Sequence, residues 1–189
     1  TPLDLFPERH EAPTLRELIY NLPRLTKMGE IDPNDIYHSF RPYNPAMRPW
    51  IHDLKPGENA FDNTNPSKRP HRVIDGVLVP NKESNGDKYR RNLWDKVAPC
   101  VHTRNDILAS QSTIHPEDDR VFSIRELSRM MGVPDDFRWT PEDPDTLNSL
   151  PLEEKKDFLK ENEINIRQCL GEGVPTQIFS AIAKKIKQF

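Results

Sequence analysis

The chain has 189 residues, of which 34% are hydrophobic and 19 are proline, and its formal net charge is −3. This composition allows one domain or two small ones with a modest core, and it predicts a loop-rich fold because proline interrupts helices and strands. No apolar run approaches the roughly 20 residues needed to cross a bilayer, and the first residues lack the order of a signal peptide. We therefore expect a soluble cytoplasmic protein with no membrane partner.

In chain order, the first structural signal is T-L-R-E (14–17), which matches the capping box and predicts that a helix begins there. The stretch H-R-V-I-D-G-V-L-V-P (71–80) has β-branched residues on both sides of an Asp-Gly turn signal, which predicts a β-hairpin. Further short strands are predicted over 97–103 and 119–124. The first two thirds of the chain are therefore expected to be irregular, with short strands.

Helices dominate the predictions for the rest of the chain. S-I-R-E (123–126) is a second capping box, whose helix is expected to reach Met131 and to end at Gly132 in the left-handed conformation. A helix with a mostly polar surface is predicted over 151–162. Another is predicted over 175–188, because Pro175 suits a first turn and an apolar stripe follows at helical spacing. The stripe comprises Ile178, Phe179, Ile182 and Ile186. The expected class is α+β, with a C-terminal amphipathic helix.

The sequence offers little for self-sufficient catalysis. It contains neither H-E-x-x-H nor G-x-S-x-G, its short glycine segments lack a Walker lysine-serine pair, and its cysteines have no zinc-ligand spacing. Cys100 lies two residues before His102, but residues i and i+2 on a strand share a face without guaranteeing the hydrogen bond that a thiol nucleophile requires. We predict two reduced thiols and no metal site.

Charge is segregated along the chain. Residues 66–104 carry nine basic and four acidic side chains, whereas residues 105–163 carry seven basic and fifteen acidic ones. The basic block over 67–72 and 87–96 also contains Tyr89 and Trp94. Clustered Lys and Arg favour phosphate binding through counterion release. The charge alone is also explained, and more simply, by a solvated basic surface on a loop.

Two linked motifs carry a resemblance to a known family. R-V-F-S-I-R-E-L-S-R-M-M-G-V-P-D-D-F (120–137) resembles the ninth motif of the DNA cytosine-5 methyltransferases, approximately R-x-L-T-x-R-E-x-A-R-L-Q-G-F-P-D-x-F. N-I-R-Q-C-L-G-E-G-V-P (165–175) is similar to the tenth motif, Y-R-Q-x-G-N-S-V-P, with Glu172 in place of asparagine. The residues of the ninth motif expected to be structural, with arginines that brace the recognition domain, are Arg120, Arg125, Glu126, Arg129, Gly132 and Pro134. Without the resemblance, Arg125 and Arg129 could be solvated helix residues paired at i, i+4.

Upstream, A-P-C-V-H-T (98–103) and T-L-R-E-L-I-Y-N-L-P (14–23) resemble segments near the end and the start of the family's target recognition domain. The resemblance implies a recognition domain over 1–118 and, over 119–189, the two motifs with a helix that packs on the catalytic domain. Cys100, although preceded by Pro99, stands at the threonine of the A-P-T-I-T-type segment and is not expected to be the methyl-transfer nucleophile. The F-x-G-x-G cofactor loop and the E-N-V glutamate, which the family carries earlier, do not occur. We expect the C-terminal part of a restriction-modification enzyme, inactive alone and partnered by a missing N-terminal catalytic domain.

The resemblance implies that double-stranded DNA is held here while the whole enzyme transfers a methyl group from S-adenosylmethionine to a flipped cytosine. Most DNA contacts are expected at phosphates, from Lys68, Arg69, Arg72, Arg90, Arg91 and Arg104. The tenth motif lends Gly171, Glu172, Gly173 and Val174 to the cofactor pocket, although Glu172 adds charge where the family has an amide. No cofactor is expected to bind this chain by itself.

Two other functions remain open from the sequence. One is a stand-alone DNA-binding module without catalysis. The other is a helical scaffold that binds protein, which the acidic segment 105–163 and the apolar stripe of the last helix favour. Salt-dependent DNA binding separates these, because a protein scaffold predicts no such dependence.

Overall fold

A computed structural model of the chain describes residues 11–82 and 86–187. Residues 1–10 of the predicted recognition domain and the last residue of the predicted 175–188 helix lie outside these ranges. No helix in the described ranges is both long enough and apolar enough to span a bilayer. The helices are α1 (Leu15–Ile19), α2 (Arg48–Ile51), α3 (Ile124–Met130), α4 (Pro144–Asn148), α5 (Leu152–Glu172) and α6 (Thr176–Ile186), with 3₁₀ turns at Pro45–Met47, Ala60–Asp62 and Pro66–Lys68.

Both predicted capping boxes are confirmed. At α1, the Thr14 hydroxyl accepts from the backbone N–H of Glu17, whose carboxylate accepts from the Thr14 N–H at 2.7 Å. At α3, Ser123 and Glu126 make the same reciprocal pair. Each box satisfies two N–H groups that have no partner inside the helix, which fixes where the helix begins.

Four short strands form two antiparallel pairs, which confirms the mixed class with short strands followed by helices. β1 (Ile31–Asp32) pairs with β2 (Asp35–Ser39), and β3 (His71–Ile74) pairs with β4 (Val77–Pro80). The second pair is the predicted hairpin. The predicted strands over 97–103 and 119–124 are wrong, because those segments make only single bridges, from Val97 to Thr14 and from Val121 to Ile114.

α5 confirms the predicted helix over 151–162 but continues to Glu172, ten residues further than predicted. Gly171 therefore lies inside the last turn of α5, and only residues 173–175 separate α5 from α6. A Cβ atom on Gly171 would lie 2.4 Å from the backbone carbon of His102 and the backbone nitrogen of Thr103. Glycine is required here because the helix touches the backbone of the segment beneath it.

Two hydrophobic cores lie side by side. The first is built by α1, β2, α3 and α5, and the second surrounds α2 and the 3₁₀ turn Ala60–Asp62. Val121 packs in the second core, whereas its neighbour Phe122 packs in the first. Successive side chains of an extended segment point in opposite directions, so this short stretch joins the two cores.

Candidate nucleic-acid interface

Arg120 is the centre of a buried ion network at the start of α3. Its guanidinium donates to both carboxylate oxygens of Glu126, at 2.7 and 2.8 Å, and to Oδ2 of Asp118 at 3.1 and 3.2 Å. The side chains of all three residues are 1% exposed. Burial alone would raise the pKa of Glu126, but the charge and hydrogen bonds of Arg120 outweigh it and hold that pKa far below its ordinary value.

Arg125 and Arg129 tie α3 to the first forty residues of the chain. Arg125 donates to both carboxylate oxygens of Asp35, at 2.5 and 3.1 Å, and to the backbone oxygen of Asp135 at 2.7 Å. Arg129 donates to Oδ1 of Asn21 at 2.8 Å and to Asp135 at 2.8 Å. The alternative of two solvated helix arginines is wrong for Arg125, whose side chain is 8% exposed.

The turn after α3 supports the start of α6. Gly132 has a φ of +67°, as a left-handed helix end requires, and the amide of Gln177 occupies the space where a Cβ atom would lie. The Thr176 hydroxyl donates to the backbone oxygen of Gly132 at 2.8 Å. Pro134 is exposed, and its carbonyl accepts from the N–H of Phe137 at 3.1 Å, which closes the turn.

His115 is buried beside this network and held neutral. Its Nδ1 accepts from the backbone N–H groups of Glu117 and Asp118, at 3.2 and 3.0 Å. Burial lowers the pKa of His115 to about 4, although the nearby carboxylate of Glu126 acts in the opposite direction. Sequence reasoning did not single out His115, because its partners are backbone groups that only the folded turn brings to it.

The depressed pKa of His115 predicts a loss of stability in mild acid. Below its ordinary pKa of 6.5 the unfolded chain takes up a proton that the folded chain refuses, so the free energy of unfolding falls as the pH drops from about 6.5 to about 4. A shift of this size corresponds to about 3 kcal/mol. Urea unfolding at a series of pH values measures it. His115→Asn keeps an acceptor and removes the titration, so it should flatten this part of the profile, and an unchanged slope would contradict the assignment.

Five of the six predicted DNA-contacting side chains lie on or near the protein surface, four of them in the basic block. Arg104 and Arg90 are 68% and 48% exposed, with Asp106 and Asp87 as neighbours at 3.0 and 4.0 Å. Lys68 pairs with Asp53. Arg72 is exposed and makes no ion pair with any described residue, and the Nε of the half-buried Arg69 meets no acceptor within the described ranges.

Arg91 is not available to DNA, so the sixth predicted contact is wrong. The residue is 2% exposed, and its guanidinium donates to the backbone oxygens of Ile51, His115 and Asp118, at 2.8 to 3.1 Å, and to the carboxylate of Asp119 at 2.7 Å. Its neighbour Arg90 is exposed, because consecutive side chains of an extended backbone alternate in direction. Arg91 holds the basic block against the second core.

The four predicted cofactor residues lie at the end of α5 and just beyond it. Gly173 and Val174 are exposed, and Glu172 is exposed with its carboxylate accepting from the Gln168 amide at 2.8 Å. Gly171 and Gly173 border a cavity of about 330 Å³ whose other walls include Cys100 and the two methionines at the end of α3. The described residues that line this cavity are mainly apolar.

A further anchor, Arg167 in the tenth motif, was missed by sequence reasoning. It is 1% exposed, donates to Glu163 at 2.8 Å, and bonds reciprocally with Asn105, whose amide donates to the backbone oxygen of Arg167 at 2.9 Å. Arg41 donates to the second oxygen of Glu163 at 2.6 Å. The Glu163–Arg167 spacing of i, i+4 was a usable signal for a helical pair. This anchor joins α5 to the segment that follows the basic block.

Comparison with known proteins identifies the class. A sequence profile of the C-5 cytosine-specific DNA methylases matches residues 59–188, and the chain belongs to this family. Its relatives include type II methyltransferases and DNA (cytosine-5)-methyltransferases.

Three relatives illustrate the similarity. The type II methyltransferase M1.HgaI of Avibacterium volantium is 29% identical over 166 residues, which is 79% of this chain and 38% of the relative. The type II methylase M.HgiDII of Herpetosiphon aurantiacus is 34% identical over 107 residues, covering 57% of this chain and 26% of the relative. DNA (cytosine-5)-methyltransferase CMT3 of Arabidopsis thaliana is 46% identical over 50 residues, covering 26% of this chain and 6% of the relative. The chain thus spans less than two fifths of the length of these relatives.

Proposed function

We propose that this chain is the DNA-holding part of a restriction-modification cytosine-5 methyltransferase. Residues 1–118 form the target recognition domain, and residues 119–189 carry the ninth and tenth motifs. The chain positions duplex DNA so that a catalytic domain, absent from this sequence, methylates a flipped cytosine with S-adenosylmethionine. The observation that carries the proposal is the family match over 59–188, which contains both the basic block and the two motifs.

The chemistry of C5 methylation favours such a division. The target atom cannot be reached inside the duplex, so one part of the enzyme must hold the DNA while another receives the extruded base. A holding surface has to keep its shape against the force of unstacking. Arg91, Arg120 and Arg125 supply that rigidity, because each is buried and anchors a loop or helix by several charge-assisted hydrogen bonds.

The last helix supplies the contact with the catalytic domain in this proposal. Ile178, Phe179 and Ile186 of α6 are 46%, 60% and 56% exposed, and no α6 residue is buried among the described parts of the chain. An apolar stripe of this length on a surface helix marks an interaction site. Docking of α6 would bring Gly173 and Val174 to the edge of the cofactor pocket, where S-adenosylmethionine supplies the methyl group. Glu172 would lie at its rim.

Salt-dependent DNA binding tests the proposal. We expect the chain to bind duplex DNA with an affinity that falls steeply with salt. Each contact of an exposed Lys or Arg with a phosphate releases about 0.9 counterions from the DNA, and this release becomes less favourable as the salt concentration rises. Replacing Lys68, Arg69 and Arg72 together by glutamine should reduce the slope of log affinity against log salt by about 3. Fluorescence anisotropy with a labelled duplex measures both quantities.

A matched variant separates local contacts from a change in net charge. Lys27, Lys156 and Lys160 are exposed and lie outside the basic block, so replacing all three by glutamine removes the same charge. We expect this control to keep most of the slope. Equal loss in both variants would contradict a DNA site at the basic block, and no binding by the wild-type chain would contradict the proposed function altogether.

A further inference from the structure

The hairpin of β3 and β4 exposes an unusual amount of apolar surface. Val73, Ile74, Val77 and Leu78 are 63%, 48%, 63% and 43% exposed. Scattered exposed apolar residues are normal, but four in one ten-residue ribbon concentrate apolar surface in a single projection, which marks a site of interaction.

The register shows that both faces of the ribbon are apolar. Directly opposed residues share a face, so Ile74 with Val77 lies on one face and Val73 with Leu78 on the other. A strand pair in a folded domain normally buries one face against a core, and an isolated hairpin is marginal in water. Neither face of this one is buried within the described parts of the chain.

The base of the ribbon is fixed to the protein. The His71 ring packs edge-on against Trp50, with ring centroids 5.3 Å apart, and the Asn81 N–H donates to the backbone oxygen of Pro70 at 2.9 Å. The turn at the tip uses Asp75 and Gly76, with φ of +50° and +77°, which suits the twist of a two-residue hairpin. The hairpin is thus a defined projection on a rigid base.

Charge along the ribbon changes sign from base to tip. The base carries Arg69, Arg72 and Lys82, of which Arg72 and Lys82 are exposed. The tip carries the carboxylate of Asp75. In a DNA groove, phosphates line the rims and base edges form the floor, where the cytosine amino group is a donor that Asp accepts from. The charges of the hairpin match this order.

The dimensions also fit. Four residues per strand give a length of about 13 Å at about 3.3 Å per residue, and the two strands lie about 4.8 Å apart. The major groove is about 12 Å wide and 8.5 Å deep and admits a two-stranded ribbon, whereas the minor groove, at about 6 Å, does not. Apolar side chains there contact thymine methyl groups. A second copy of the chain is a poorer occupant, because docking two hairpins would bring two equally basic surfaces together.

We infer that β3 and β4 enter the major groove of duplex DNA as a reading ribbon, with their apolar side chains and Asp75 against base edges and the basic residues at their base against phosphates. This inference rests on the proposed function and assigns the reading role within it. Phosphate contacts give affinity and base contacts give sequence preference. The hairpin is therefore expected to control which sequence is bound more than how the affinity depends on salt.

The test uses a duplex that the wild-type chain enriches from a random library. Ile74→Ser with Val77→Ser is expected to weaken binding to that duplex about tenfold, to leave the salt slope unchanged, and to abolish protection of guanine N7 from dimethyl sulfate in the major groove. The control is Leu152→Ser with Ile164→Ser on α5, which removes two apolar side chains that are 54% and 44% exposed and have no assigned role. It should leave DNA binding and protection intact.

Each other outcome overturns the inference in a recognisable way. If the wild-type chain binds DNA with a steep salt slope but enriches no sequence, or if the hairpin variant keeps its affinity and N7 protection, the ribbon does not read bases although the proposed function stands. If the wild-type chain sediments as a dimer and the hairpin variant as a monomer, the hairpin joins two copies. If the wild-type chain does not bind DNA, the proposed function fails together with the inference.

Discussion

Replacing Arg120 by methionine is expected to lower the free energy of unfolding by about 3–5 kcal/mol, the usual cost of removing one partner from a buried ion pair. The loss arises because the carboxylate of Glu126, which is 1% exposed, would remain buried without its main cationic partner. The equally buried carboxylate of Asp118 would keep only Arg24 as a cationic partner among the described residues. Urea unfolding monitored by tryptophan fluorescence at neutral pH measures the change.

Two variants define the origin of that effect. Arg120→Met combined with Glu126→Gln removes one buried charge together with its partner, so the double variant should recover part of the loss. Arg138→Met removes an arginine whose side chain is 61% exposed and should change the free energy of unfolding by less than about 1 kcal/mol. A loss from Arg120→Met no greater than that from Arg138→Met would show that the network contributes little.

Replacing Gly171 by alanine is expected to destabilise the chain by about 1–3 kcal/mol or more, the range for overpacking. The added Cβ would meet backbone atoms of His102 and Thr103 at 2.4 Å, and backbone cannot turn aside as a long side chain can. α5 would have to move away from the segment that contains His102 and Thr103. The same substitution should therefore also weaken the reciprocal bonds between Arg167 and Asn105.

Gly173→Ala is the matched control, two residues along the chain. Its φ of −69° is ordinary for alanine, and the nearest atom to the added Cβ would be the Cys169 backbone oxygen at 3.2 Å. We expect the free energy of unfolding of this variant to lie within about 1 kcal/mol of that of the wild type. Thermal and urea unfolding of the two variants side by side provide the measurement, and equal stability would contradict the close contact at Gly171.

Local features were predictable from the sequence because their partners are local. The capping boxes at Thr14 and Ser123 and the Asp75-Gly76 turn depend on atoms two or three residues apart, and all three are present. The end of α5 was not predictable, since a glycine at position 171 argues against a helix. The glycine is needed there because the helix contacts the backbone of residues nearly seventy positions earlier, which the sequence does not reveal.

The residues of the candidate interface were likewise predictable only where their partners are local. The sequence identified Arg125 as structural only through a family resemblance, since its carboxylate partner Asp35 is 90 residues away. The adjacent Arg90 and Arg91 have the same charge and composition around them, yet one is exposed and the other buried. Only the position of Asp119 and three backbone oxygens makes Arg91 a structural residue. Basic patches in sequence therefore overstate the number of cations available to DNA.

The helix of the ninth motif, α3, connects several distant parts of the chain. Its arginines bind residues near 20 and 35, Arg120 just before it binds Asp118, and the turn that follows it holds α6 through Gly132 and Gln177. A distortion of α3 would thus disturb the first core and the helix proposed to dock on the catalytic domain. Conversely, the network allows one short helix to fix the basic block relative to α6.

A methyl-transfer assay on this chain tests the central claim, which is that it holds DNA without carrying the methyl-transfer centre. The assay follows incorporation of a radiolabelled methyl group from S-adenosylmethionine into duplex DNA, at protein concentrations where anisotropy shows the DNA to be bound. We predict incorporation at the level of a protein-free control. Time-dependent incorporation that is lost on replacing Cys100 by serine would contradict the account, because it would place the nucleophile in the segment assigned here to recognition.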